Sequence, residues 1–168
     1  MKTVIQRVSN AQVSVDDIVK GRIKYGLLVY LGVGHEDTEK DADWLAEKTV
    51  NLRVFSDEND KMNLSIIDMV NHGDNSVNGN DSSVGVLAVS QFTLMGDARK
   101  GRRPSWDKAA PPEKANKLYE YFTQKIRGYG LLCETGEFQA HMMVTYTNDG
   151  PVTILLDSKE AVNTEAQK

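Results

Sequence analysis

The sequence predicts an α+β fold, a mixed β-sheet or barrel-like subunit of about eight strands with two main helices. Three observations lead there. Many segments carry the period-two or fully apolar pattern of strands. Only two stretches carry a helical apolar stripe, one near Thr38–Thr49 and one near Pro112–Gly128. Strands and helices do not alternate regularly, which argues against a doubly wound sheet. The length of 168 residues fits one domain. We read 1–157 as that domain and 158–168 as a frayed polar tail.

The elements follow in order. Val4, Gln6 and Val8 alternate, and Ala11 to Val15 continue the pattern. Asp16-Asp17 predicts a hairpin turn into a strand from Ile18 to Ile23. Leu27 to Val33 is apolar throughout, as in a strand covered on both faces. Thr38 and Asp41 form a capping pair for the first helix. Ala42, Leu45, Ala46 and Thr49 line its inner face, and Trp44 falls opposite, half-exposed or at a subunit contact. Leu52 to Phe55 reads as a strand. From Asn71 to Ser83 the only apolar residue is Val77, so that stretch reads as a polar surface insertion. Val84 to Leu94 returns to strand. Pro111-Pro112 opens the second helix, Ala115, Leu118, Phe122 and Ile126 share its inner face, and Gly128 stops it. Leu131–Glu134, Met142–Thr147 and Val152–Leu156 complete the strands.

Composition narrows the function. Hydrophobic residues at 40% and charged residues at 26% are the balance of a soluble globular protein. The net charge of −4 excludes a wholesale basic nucleic-acid binder and leaves room for a local basic patch. A single cysteine, Cys133, excludes an internal disulfide framework. The start of the chain lacks the apolar core of a signal peptide, and Gly26–Val33 is too short to span a bilayer, so a cytoplasmic location is expected. His35, His72 and His141 show no metal-ligand spacing, and His141 reads as a strand-face residue. No metal and no cofactor are expected. Gly32-Val33-Gly34 lacks the third glycine of a dinucleotide fingerprint, and no nucleophile elbow is present.

Three segments carry chemistry. Ser90-Gln91-Phe92-Thr93-Leu94 closes an apolar strand, where polar side chains can be held rigidly. It reads either as a site or as a strand end with satisfied hydroxyls. Arg99-Lys100-Gly101-Arg102-Arg103-Pro104-Ser105 puts four cations into five residues, and its glycine and proline make it a loop. It is an anion site or a solvated charge run. Asn148-Asp149-Gly150-Pro151-Val152-Thr153 is a turn between strands, an ordinary hairpin turn by composition alone.

Together these segments resemble the D-aminoacyl-tRNA deacylase family. The resemblance begins at Met1–Val8 and runs through Gly26–Val29, Leu52–Phe55 and Lys61–Ser65. It continues through Ser90–Leu94, Lys100–Ser105 and Asn148–Thr153. Two departures stand out: the insertion at 71–83, and Gln139 after Phe138 where the family typically has glycine.

The resemblance implies hydrolysis of the ester joining a D-amino acid, or glycine, to the terminal ribose of tRNA. It implies a homodimer in which the Gly150-Pro151 turn of one subunit reaches the pocket of the other. That peptide bond is then cis, and its carbonyls occupy the place of an L side chain. Gly150, Pro151, Met142 and Asn148 become substrate-binding residues, and Arg99, Lys100, Arg102 and Arg103 become tRNA-binding. Ser90, Gln91, Phe92 and Thr93 become the catalytic segment. Thr93 is the obvious nucleophile, yet the motif supplies no base for it. A backbone N–H near Phe92 or Thr93 as oxyanion donor, with water activated by the substrate's 2′-hydroxyl, fits better. Two alternatives stay open: a non-catalytic nucleic-acid-binding module using Arg99–Arg103, and an unrelated hydrolase built on Cys133 or a serine triad.

Overall fold

The computed structural model describes residues 1–71 and 84–160. Most of the expected insertion, with His72, and the end of the expected tail lie outside the described residues.

Among the described residues, eight strands build the sheet system: β1 (Lys2–Val15), β2 (Ile18–Ile23), β3 (Tyr25–Gly32), β4 (Phe55–Ser56), β5 (Met62–Leu64), β6 (Val84–Ser90), β7 (Leu132–Thr135) and β8 (Met143–Asp157). The helices are α1 (Glu39–Asn51), α2 (Ile66–Asn71) and α3 (Pro112–Gly128). The main sheet runs β2-β1-β3-β6-β7, with β8 on the other side of β1. It is mixed: β1 pairs antiparallel with β2, β3 and β8, while β3–β6 and β6–β7 are parallel. The two ends of the sheet curl toward each other. A Cβ on Gly21 of β2 would lie 2.6 Å from the carbonyl oxygen of Thr135 on β7, so glycine permits that approach. The expected α+β, barrel-like subunit is what forms.

Local chemistry explains the boundaries. Asp16 and Asp17 take φ of 49° and 62°, the left-handed pair that a two-residue hairpin demands and that Asp tolerates. Thr38 caps α1: its N–H and hydroxyl both donate to Asp41 Oδ2, at 2.8 and 3.0 Å. Ala42, Leu45, Ala46 and Thr49 are buried as their spacing predicts. They face Leu118, Phe122 and Ile126 of α3 across a core floored by Ile5, Leu27, Val29 and Ala88. Phe122 is fully buried, so truncating it to alanine costs about 3–5 kcal/mol. A second core (Val8, Val13, Leu28, Leu87, Val89) fills the roll of the sheet.

Several expectations are corrected. The strand expected at Leu52–Phe55 begins only at Phe55. Val54 N donates back to Leu52 O at 3.0 Å and Val54 O accepts from Arg7 at 2.6 Å, so neither group is left for a ladder. The strand expected to reach Leu94 ends at Ser90, after which Phe92–Met95 form a 3-10 turn. Helix α3 includes Gly128, and the left-handed residue that ends it is Gly130, φ 78°. Ser158, expected to open a frayed tail, is buried: its hydroxyl accepts from the Met1 ammonium at 2.6 Å and donates to Asp41 at 2.7 Å. The largest correction concerns residues 148–151. They do not join two hairpin strands. Both flanks belong to β8 and pair with the same strand, Asn148 opposite Val8 and Thr153 opposite Gln6. The extra residues bulge out opposite Arg7.

Candidate functional site

The end of β6 opens onto a cavity of about 520 Å³. One wall is the sheet, with Leu31, Val33, Val89 and Ser90. Gln91 and Phe92 continue it around the 3-10 turn. The opposite wall is Ala109, Ala110, and Pro112, Ala115 and Tyr119 of α3. Phe138–Met142 and Val144 close the third side. Alanines at four of these positions keep the space open.

The segment after β6 is held by short-range chemistry. Gln91 N donates to Leu31 O at 2.8 Å, the last rung of the ladder. Leu94 N then returns to Gln91 O at 3.2 Å and Gly96 N to Thr93 O at 3.0 Å. The turn folds onto Gly32, where a Cβ would lie 2.9 Å from that of Leu94 and 3.0 Å from Gln91 O. The N–H groups of Phe92 and Thr93 open this turn and have no partner inside it. On the far wall, Ala110 N donates to Val33 O at 2.9 Å and ties the α3 entry loop to β3. Tyr119 donates its hydroxyl to Ala88 O at 2.8 Å, and burial pushes its ionisation well up, so it stays a neutral wall.

The predicted residues separate into three places. Ser90, Gln91, Phe92 and Met142 meet at the cavity. Thr93 sits beside it, exposed, and its hydroxyl accepts from the Gln91 amide. Gly150, Pro151 and Asn148 lie elsewhere, on the bulge of β8. The Gly150-Pro151 bond is cis. Arg7 braces this bulge: Nε lies 3.0 Å from Asp149 Oδ2, and Nη1 donates to Val54 O at 2.6 Å. With its amide turned so that the nitrogen faces the neighbouring carbonyls, Asn148 donates to Arg7 O at 3.0 Å and Val152 O at 3.2 Å and shapes the bulge from within. The Thr3–Leu31–Ser90 row and the Arg7–Leu27 row are four residues apart, about 13 Å along the strands.

The basic loop is the third place. Asp97 and Ser105 exchange backbone bonds of 2.9 Å and close it as a hairpin. Arg99 Nε reaches both Asp97 oxygens, at 2.8 and 3.1 Å, and these bonds hold the Asp97 carboxyl well below the usual range. Arg99 is therefore a brace of the hairpin. Lys100, Arg102 and Arg103 are exposed and have no ion-pair partner among the described residues.

His141 corrects the expectation of a strand-face residue, since it precedes β8 and lines the cavity. Sequence reasoning also missed Tyr119, Ala109, Ala110 and Arg7. The Pro111-Pro112 pair was the one available signal for the α3 wall, because it fixes where the helix and its entry loop meet. Gln139 adopts φ 63°, the left-handed conformation a glycine would take without strain, and lines the cavity. Cys133 is buried and its thiol is pushed up to about 11 by burial, which removes it as a nucleophile. Among the described residues no group of three or more His, Cys, Asp or Glu could hold a metal ion, and no helix is long and apolar enough to cross a membrane.

The chain is similar to known proteins over nearly its whole length. D-aminoacyl-tRNA deacylase from Koribacter versatilis (strain Ellin345) is 59% identical over 160 residues, covering 95% of this chain and 99% of its own. The Clostridioides difficile (strain 630) protein of the same name is 53% identical over 161 residues, covering 96% and 99%. The solved c-Myc DNA Unwinding Element Binding Protein superposes with a TM-score of 0.81 at 37% identity, over 94% of this chain and 98% of its own. A structure titled "Structural Analysis of a probable eukaryotic D-amino acid tRNA deacylase" has a TM-score of 0.73 at 15% identity, over 93% and 98%, and shares the fold. The family model for D-Tyr-tRNA(Tyr) deacylase matches residues 4–157, so the chain belongs to that family.

Proposed function

We propose that this protein hydrolyses the ester of D-aminoacyl-tRNA and releases the free D-amino acid. The observation that carries this reading is the Ser90–Phe92 turn opening onto a preformed cavity in a chain of this family. The cavity is the right size for an aminoacyl nucleoside. Ser90 and Gln91 orient the nucleoside or the substrate amine. The N–H groups of Phe92 and Thr93 receive the oxyanion, and water is activated by the substrate's 2′-hydroxyl. Thr93 is no nucleophile in this scheme, because its hydroxyl is engaged by Gln91 and has no base.

Chirality is read by the Gly150-Pro151 bulge supplied by a second copy of the chain. A backbone wall excludes an L side chain whatever its chemistry and leaves glycine and D residues room, so glycyl-tRNA is also a substrate. The homodimer is supported by β8, a fifteen-residue strand that pairs with β1 and, among the described residues, with no other strand. Its backbone edge away from β1 needs a cover, and Met143, Tyr146 and Leu155 along it are exposed. Lys100, Arg102 and Arg103 hold tRNA phosphates, and the enzyme works in the cytoplasm.

The test is hydrolysis of D- and L-tyrosyl-tRNA side by side. Release of D-tyrosine with L-tyrosyl-tRNA spared is the expected result. Equal rates, or no release of D-tyrosine, overturn it. A second reading, nucleic-acid binding without hydrolysis, draws on the exposed cations and on the name of the relative described as a DNA unwinding element binding protein. Duplex DNA binding with no ester cleavage would favour it.

A further inference from the structure

An aromatic pair joins the cavity to the basic hairpin, and its two rings have no part in the scheme above. Phe92 is 57% exposed and Trp106 41%. Their rings meet edge to face, with centroids 5.3 Å apart and planes at 71°. Phe92 lines the cavity, while Trp106 directly follows Ser105, which closes the hairpin against Asp97. The backbone around the indole is locked. Ser105 Oγ donates to Asp107 at 2.6 Å, Asp107 N donates to Ser105 Oγ at 3.2 Å, and Ala109 N donates to Trp106 O at 2.9 Å. The indole rests on Gly96, where a Cβ would lie 2.6 Å from its Cζ3. One side of the ring is thus seated on backbone and Phe92, and the rest faces solvent.

We propose that Phe92 and Trp106 are a stacking platform for an unpaired base of single-stranded RNA, the nucleotide adjoining the one held in the cavity. The strand's direction rests on the deacylase reading; the platform does not. Two rigid aromatics exposed side by side suit any base, since every base has a π-face. The flanking cations Lys100, Arg102 and Arg103 select a polyanion over an apolar peptide as the occupant. The path is continuous: terminal nucleoside in the cavity, next base on the aromatics, phosphates along the hairpin.

The experiment compares kcat/KM for D-tyrosyl-adenosine and for D-tyrosyl-CCA trinucleotide in wild type, Trp106→Ala and Trp106→Phe. Stacking of one base predicts that Trp106→Ala lowers the value for the trinucleotide about 5- to 150-fold more than for the adenosine ester, with most of the loss in KM. Trp106→Phe restores most of it. Equal losses on both esters, or no extra loss on the trinucleotide, overturn the platform. A second readout needs no hydrolysis. In Trp44→Phe the remaining indole is Trp106, and the CCA trinucleotide quenches its emission. Unchanged emission up to millimolar trinucleotide overturns the proposal. If wild type cleaves neither ester while quenching occurs, the deacylase reading falls and the platform stands.

Discussion

Gly150→Ala tests whether the bulge of β8 belongs to the site. Gly150 has φ 117°, and an added Cβ would lie 2.8 Å from Val152 Cγ2 and 3.0 Å from Arg7 Nη2. The valine methyl can turn away. Arg7 cannot, because Nη1 donates to Val54 O and the mostly buried guanidinium is paired with the Asp149 carboxylate. The backbone must therefore move. A side chain held in this disfavoured region costs about 1–3 kcal/mol. The bulge is exposed, so the strain is released locally, and a chain of this length loses about 2–12 °C in Tm. Catalysis is more sensitive, since a displacement of about 1 Å in a positioning element costs roughly 100-fold. The assay is a melting curve beside single-turnover hydrolysis of D-tyrosyl-tRNA. A folded variant whose rate falls by about 100-fold or more is expected. A rate within about threefold of wild type, at the lowered Tm, refutes the reasoning: the bulge would then carry strain and no function.

Three further outcomes are expected. Arg102→Ala with Arg103→Ala weakens tRNA binding and lowers the magnitude of its salt slope by somewhat under one per lost phosphate contact, measured by binding titration across salt concentrations; an unchanged slope returns the loop to solvated surface. Thr93→Ala retains hydrolysis within about tenfold, whereas loss of a true nucleophile costs many orders of magnitude; a dead, folded variant restores Thr93 to that role. Asp41 is pulled upward by burial, but bonds from Ser158 and Thr38 outweigh this and hold it at about 2. A depressed carboxylate stabilises the fold above its unfolded pKa and loses that contribution as pH falls through the folded value. Asp41→Asn should therefore lower Tm at neutral pH and flatten the fall in Tm between about pH 4 and 2; a parallel downward shift of the whole curve would contradict it.

What the sequence could reveal followed from the range of the forces involved. The caps and turns were legible because they are local: Thr38 and Asp41 sit three residues apart, and Asp16-Asp17 is itself the turn. The faces of α1 and α3 were legible because burial repeats with the helical period. The fate of Leu52–Val54 was hidden because Arg7, far away in the chain, takes the carbonyl that a strand neighbour would use. The bulge was hidden for a similar reason. Asn-Asp-Gly-Pro signals a reversal by composition, and only pairing of both flanks with β1 shows that the strand resumes its course. Of the candidate site, the Ser90 segment was visible as polarity at a strand end. Tyr119 on the opposite wall and His141 on the third side come from elements distant in sequence, and beyond the Pro111-Pro112 pair that places α3 they carry no local mark.

The separation of the cavity from the bulge leads to the last prediction. Within one chain the two lie about 13 Å apart along the strands, on rows that Leu31 and Leu27 define. A rigid sheet cannot close that gap, so a site that uses both needs a second copy. In a two-fold dimer, each bulge then completes the cavity of its partner. Consider two inactive variants, Gly150→Ala with a defective bulge and Gln91→Ala with a defective cavity. Either homodimer has two broken sites. The mixed dimer has one site carrying both defects and one carrying neither. Random reassortment makes half the dimers mixed, each with one intact site, so mixing should recover about a quarter of wild-type activity. The variants are co-expressed with different tags, and the doubly tagged dimer is purified and assayed on D-tyrosyl-tRNA. Recovered activity near half of wild type in that fraction is expected. A mixed dimer as inactive as its parents would show that each cavity works without its partner's bulge.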